Sequence, residues 1–537
     1  MTKQYADIGA EFGRPKTSGS SPLYTELNKA WKSTCRILLG EDIGELASYD
    51  VWLKEFLPEF GKRTSNRSGK EVTFAKCDYC TEANVISLEE VKEKTAPLSI
   101  NDIKDIDSIL EAVSEAWEYT GNKSLGNSRF VEASDNIIDS QYVYGSANVR
   151  QSSYVHSSYF VNENSKYIFG SNWISNSEFV VKGESCNSKR LFNSSWNESC
   201  SDMYFCFYST GCSELMFCFN QRNTRNAIGN LALAKDKYQA LEKKLLDEIK
   251  GELQRNKTFP SIFRLVPNKA PPKDIVISVP SSAENGDFSA IEKAFASTFR
   301  ILFKKDPDKL AGYENWLNRH LLQIPEVTSP FGSPTYLSDL TRDVRMYPDK
   351  RMVTQGEAVE LATLQLNESQ LGSVKDIQDG LDRIGYFLGT AAEQSTNYFK
   401  NPIAFHSSSI YKVGDGVFSE NCAVDGSINY SKYLFGSDRI VGSEFCINCY
   451  NSLNLKRCFE LDACTNCADA YFCHNCESLQ DAMFCFNAKG KRYAIGNNAL
   501  PPEQYRQAKS VLVDQIAEEI LRNKSLRLDI FNVGGMK

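Results

Sequence analysis

Two CxxC pairs stand close together in CTNCADAYFCHNC, which runs from Cys464 to Cys476. Thiolates at that spacing can present two ligands each to one ion, and a closed structural zinc site needs four. Cys464, Cys467, Cys473 and Cys476 are therefore candidate zinc ligands. A third pair, Cys77 and Cys80 in AKCDYCTEAN, has no partner pair nearby and reads as a turn or hairpin with two buried thiols.

The candidate ligands belong to a larger pattern. The chain carries 17 cysteines, most of them within residues 186–218 and 422–485, where other residue types also recur. From Ser134 the sequence reads SDNI, SQYV, SANV, SSYV and SYFV at six-residue steps, and after one extra residue SKYI, SNWI and SEFV from Ser165. A period of six is a multiple of the strand period of two and not of the helical 3.6, so the segment predicts stacked short strands and corners. In the second half the same register places Cys449, Cys467, Cys473 and Cys485 at serine positions, and Cys446, Cys458, Cys464 and Cys476 at the Val/Ile positions. Cysteine is small and buries readily, so CTNC and CHNC read first as core positions of the repeat. Stacked thiols at strand spacing also leave disulfide chemistry open.

A longer repeat contains the short one. STCRILLGEDIGELASYDVWL from Ser33 matches STFRILFKKDPDKLAGYENWL from Ser297, and MFCFNQRNTRNAIGN matches MFCFNAKGKRYAIGN from Met483. These offsets of 264 and 267 predict a tandem duplication with small loop insertions. In that alignment Cys200 faces Cys467 and Cys206 faces Cys473, but Cys464 and Cys476 have no cysteine counterpart, which weakens a metal site common to both halves. Each half opens on an amphipathic helix, and each ends on one: Tyr238, Leu245, Ile249 and Leu253 form a stripe mirrored by Tyr505, Leu512, Ile516 and Ile520.

The expected fold is α+β. A helical subdomain spans 1–129, a parallel β-solenoid 130–230, a capping helix 231–258 and a proline-bearing linker 259–287. The second copy repeats this with a helical subdomain over 288–404, a solenoid over 405–497, and a capping helix and tail over 498–537.

The six-residue recurrence resembles hexapeptide-repeat left-handed β-helices, which commonly place three hexads in a coil; the period by itself does not select eighteen residues. That resemblance implies an acyltransferase with a catalytic histidine and a small residue before glycine in each hexad. Here serine and an aromatic stand in those places, and His156 in SYVHSS has Cys422 as its counterpart, so it reads as a solvent-facing side chain. The tail, CFN followed by a short loop and a DKY or EQY helix, is similar to a group of uncharacterised Cys-rich repeat proteins of candidate-phylum bacteria, a resemblance that implies no activity.

A net charge of -7 and a pI near 5.5 argue against nucleic acid as a partner. No basic n-region with an apolar core and no membrane-length apolar run is present, and the odd number of thiols suits a reducing, cytoplasmic or other intracellular setting. Phosphate loops, GxSxG and HExxH are likewise missing from the sequence. The reading is a non-enzymatic structural or assembly protein that binds itself or another protein, as part of a virion, shell or scaffold. Tyr142, Tyr154, Trp173 and Phe179 immediately precede the inward Val/Ile ladder, so strand alternation points them outward as the contact surface. The alternative is a metal- or redox-linked binding module using the second half's cysteine ladders, with zinc as the cofactor; the first reading needs none.

Overall fold

A computed structural model describes every residue except 1–20, 56, 77, 93–102, 115–116, 278–286, 338–346, 453–454, 464–466 and 537. Helices are combined with large, predominantly parallel sheets. Among the described residues, no helix is long and apolar enough to cross a membrane.

From Ser124 to Met216 short strands alternate between a 10-stranded and an 8-stranded sheet, and the last two, Arg225–Ile228 and Leu231–Ala232, both join the 10-stranded one. Val143 stands beside Val155 in the first, and Val149 beside Val161 in the second, so partners are 12 residues apart. The step is 13 where one residue is added, Val155 to Ile168, and 11 from Val180 to Leu191. In the second half Cys446 pairs with Cys458, again 12 apart. Neighbouring strands are thus two hexads apart, not the three that are common in hexapeptide coils.

The inward residues do not follow simple alternation. Ser146 and Val149 are three residues apart, which would put them on opposite faces of a flat strand. Both are wholly buried. Asn148 and Gln151, at φ 54° and 47°, adopt left-handed backbone, and equivalent residues do so in hexad after hexad. A left-handed residue re-aims the chain as a bulge does, so serine and valine both reach the interior. The conformation costs an L-residue of order 1–2 kcal/mol. Hydrogen bonds between layers offset that cost: Ser146 Oγ donates to the Tyr144 carbonyl at 2.8 Å and accepts from the Ser158 amide at 3.0 Å.

Helices lie along the sheets rather than in separate subdomains. The helix Pro22–Leu39 starts at Ser21, whose Oγ accepts from the Tyr24 amide, and stops at Gly40 with φ 76°. Its Trp31 meets Phe169 edge-on at 5.3 Å; Phe295 of the helix Phe288–Phe303 meets Phe435 edge-on at 5.2 Å. Likewise Tyr204 Oη donates to the Leu38 carbonyl at 2.8 Å and Tyr471 Oη to the Leu302 carbonyl at 2.9 Å. The stripes of the helices Lys235–Asn256 and Pro502–Asn523 are buried as their periodicity predicts.

Three boundaries differ from the sequence reading. Residues 1–129 are not purely helical: Gly61–Thr64 pairs antiparallel with Glu71–Phe74, and Val85–Ser87 pairs parallel with Tyr119–Gly121. Strands of three or four residues are too short to show a period. The segment 259–287 is more than a linker, because its Phe259, Ile262, Phe263 and Leu265 are buried. The large sheet of the second half begins at Met352–Thr354, well before residue 405, and runs to 14 strands.

The exit end of each strand stack is covered by the other half. Trp117 stacks on Phe486 at 5.1 Å, and Asn487 Nδ2 donates to the Glu118 carbonyl at 2.8 Å. In the reciprocal place Phe387 meets Phe207 at 4.8 Å, and Asn220 Nδ2 donates to the Tyr386 carbonyl at 3.2 Å. Covering by a carboxy-terminal helix alone was the sequence expectation. An exposed sheet edge is open to further pairing, and the leading segment of the opposite half closes it.

Candidate functional site

Of the four candidate zinc ligands, Cys464 lies outside the described residues, as does Cys77 of the third CxxC pair. Cys467, Cys473 and Cys476 are buried. Cys476 Sγ donates to the carbonyls of His474 at 3.1 Å and Cys485 at 3.2 Å, and Cys473 Sγ to that of Tyr471 at 3.4 Å. At Cys473 this is the serine's role taken over by sulfur, and Cys476, at a Val/Ile position, makes the same kind of contact. In the first half Cys200 does the same, donating to the Glu198 carbonyl at 3.2 Å and accepting from the Cys212 amide at 3.4 Å, just as Ser146 binds above and below itself. Among the described residues, no group of three or more His, Cys, Asp or Glu side chains is arranged to hold a metal, and no disulfide forms.

The layered register also brings thiols against thiols. Cys200 and Cys212, Cys206 and Cys218, and Cys446 with Cys449 and Cys458 are neighbouring thiols close enough to shift one another's titration. Burial pushes the Cys206, Cys449 and Cys458 thiols well above the usual range. Cys212, which accepts the Cys200 S–H, is held down instead.

The four aromatics of the expected contact surface do not form one row. Tyr142, Tyr154 and Phe179 belong to a column that also includes Phe130 and Tyr167, with ring centroids 4.8–4.9 Å apart and planes within 8° of parallel. Trp173 is on the other sheet, stacked on Phe160 at 4.2 Å. All four are half-buried, and Tyr142 and Tyr154 pack beside the helix-covered core. They are themselves the left-handed residues, so their direction comes from the bulge and not from alternation.

A more exposed column escaped the sequence reading. His406, Phe418 and Tyr430 stack at 4.6 and 4.9 Å with planes 2° and 7° apart. Phe418 is 45% exposed and Tyr430 63%. The signal was present, as three rings recurring at steps of twelve on the last residue of the hexad. Asp139 and Gln151 hold the corresponding left-handed positions of the first half.

His156 is not solvent-facing. It is buried, stacked on Tyr144 at 5.3 Å and 3.9 Å from Asp50, and burial lowers it to about 4. A second buried histidine stands where the halves meet. His474 Nε2 accepts from the Thr120 amide at 3.1 Å, its Nδ1 is 3.3 Å from Asp462, and Tyr79 Oη donates to the same carboxylate. Burial alone would raise Asp462, but His474, Lys123 and Tyr79 hold it at about 2. Close by, Lys123 and Asp135 pair at 2.8 Å. Asp462, Tyr79, Lys123 and Asp135 are thus bonded to one another or to His474 across the junction, and His474 is held through Nε2.

Comparison with protein-family models, curated proteins and solved structures found no match to this chain.

Proposed function

We propose that this protein is a non-enzymatic structural or assembly component, built by tandem duplication as two β-solenoids of two hexads per coil. Matching contacts in the two halves, such as Trp31 with Phe169 and Phe295 with Phe435, support the duplication. The twelve-residue register and stacked inward serines support the solenoid. Since each half covers the other's exit edge, association proceeds through lateral faces rather than by end-to-end growth. The observation that carries the reading is the His406, Phe418 and Tyr430 column, three stacked rings left in water where the first half presents Asp139 and Gln151. Such a component would act inside a reducing compartment, as part of a shell, virion or scaffold, binding itself or another protein. Mass photometry and electron microscopy of the native protein and of a Phe418→Lys/Tyr430→Lys variant test this. Concentration-dependent assemblies that the variant loses support it; a strict monomer that captures no partner sinks it.

The thiol contacts favour a second reading, a redox- or metal-linked binding module using the second half's cysteine ladders. A free-thiol count and metal analysis after purification under reducing conditions separate the two.

A further inference from the structure

One face of the second stack carries charges in a fixed order. Lys432 stands in register between Glu420 and Glu444, and Glu444 stands beside Lys456, so four side chains form a row along the stack at the roughly 4.8 Å spacing of strands. Read from the opposite end, the row Glu420, Lys432, Glu444, Lys456 has every sign reversed. Glu420 and Lys432 bridge at 2.8 Å with 43% and 50% of their side chains exposed; Lys456 is exposed and Glu444 half-exposed. Among the described residues, neither Glu444 nor Lys456 joins an ion pair. Aromatic columns border the row on both sides: His406, Phe418 and Tyr430 two positions before it, and Tyr433 stacked on Phe445 at 4.7 Å immediately after it.

Two copies of one face meet about a twofold axis lying in the interface. An axis along the stack sets Glu420 against Glu420 and Lys432 against Lys432, and like charges repel. An axis along the strands, midway between Lys432 and Glu444, runs one row against the other in reverse. Glu420 then meets the second copy's Lys456 and Lys432 meets its Glu444, each contact occurring twice. The same rotation lays Tyr433 against Phe445, and the exposed ring of Tyr430 over Gly442, which has no side chain to obstruct it. The equivalent row of the first half, Lys166, Glu178 and Lys189, is not complementary to itself, because reversal returns the same signs and Glu178 meets Glu178.

We propose, resting on the assembly reading above, that this face joins two copies of the chain in a closed dimer about the axis along the strands. Mass photometry and sedimentation of the full chain test it with Glu420→Lys, Lys456→Glu and the combined variant, each checked for folding by circular dichroism. Either single reversal sets like charges together at two places and weakens the dimer by about tenfold or more, whereas the combined variant recovers the native affinity to within about threefold. Within one chain the combined variant is the worst of the three, since it leaves two cations adjacent and two anions adjacent, so its recovery comes from contacts between copies. The proposal is overturned, with the assembly reading intact, if assemblies form but a single reversal leaves them unchanged, or if the combined variant stays as weak as the single ones. A strict monomer overturns it as well, and sinks the assembly reading only where no partner protein is captured.

Discussion

Asn487 Nδ2 donates to the carbonyl oxygen of Glu118 at 2.8 Å, a bond between residues 369 positions apart in the chain. Its counterpart joins Asn220 to Tyr386 at 3.2 Å, so the two halves close each other's strand stacks in the same way. Removing either amide leaves a buried carbonyl short of a donor. Asn487→Ala and Asn220→Ala should each destabilise the fold by about 1–3 kcal/mol, measured by chemical denaturation. If either is neutral, the cap is held by the aromatic contacts alone.

The cysteine ladders predict a swap experiment. Cys206 stands in a serine column, accepting no valine-like packing role: its amide bonds Ser194 Oγ at 3.0 Å and its Sγ reaches the Tyr204 carbonyl at 3.4 Å. Cys206→Ser keeps a donor to that carbonyl and should be close to neutral, whereas Cys206→Val removes it, leaving the carbonyl only the Phe217 amide at 2.8 Å, and costs about 0.5–1.5 kcal/mol. Cys446 stands in the column of Leu434 and Cys458, where the preference reverses and valine is the better substitute. Identical responses at both sites would contradict the assignment of the two columns.

One inward column changes character along the first stack. Ile174 is followed by Ser185, Asn197 and Ser209, and neither side-chain polar atom of Asn197 finds a hydrogen-bond partner. Asn197→Val should therefore stabilise the protein, by about 1–3 kcal/mol, because it removes an unsatisfied buried amide at similar volume. A fall in Tm would show that an ordered water satisfies the amide.

Glu184 makes the stability depend on pH. Burial raises its carboxyl to about 8, above the roughly 4.3 of an unfolded glutamate. Over that window the folded state keeps a proton the unfolded state has released, so stability falls as pH rises from about 4.3 toward 8. Glu460, raised to about 8 by burial and by Asp529, acts in the same sense. Glu184→Gln should flatten part of the decline in Tm between these limits; an unchanged slope would place the titration elsewhere.

Because the thiols of Cys473 and Cys476 are spent on carbonyls, chelation should not unfold the protein. Tm with and without EDTA should agree, with less than one zinc per chain by metal analysis. Stoichiometric zinc whose removal lowers Tm would restore the metal reading.

How much was legible can be judged residue by residue. The stripe of Tyr238, Leu245, Ile249 and Leu253 was readable because a helix buries what its period aligns. The inward places of Ser146, Val149 and Cys473 were readable because each is set within one hexad. Trp173 was misplaced among Tyr142, Tyr154 and Phe179, since a six-residue period does not say which sheet a hexad joins. His156 was expected in water because nothing local announces that the segment carrying Asp50 lies over it.

By itself, the sequence determined the short strands, the residues that fill their interior and the helices that flank them, because those follow from contacts within a few residues. Twelve rather than eighteen residues between strand partners, the exposure of Phe418 and Tyr430 and the mutual covering of stack ends were decided only in the tertiary structure. Each depends on segments hundreds of residues apart meeting face to face, and no local period encodes which face meets which.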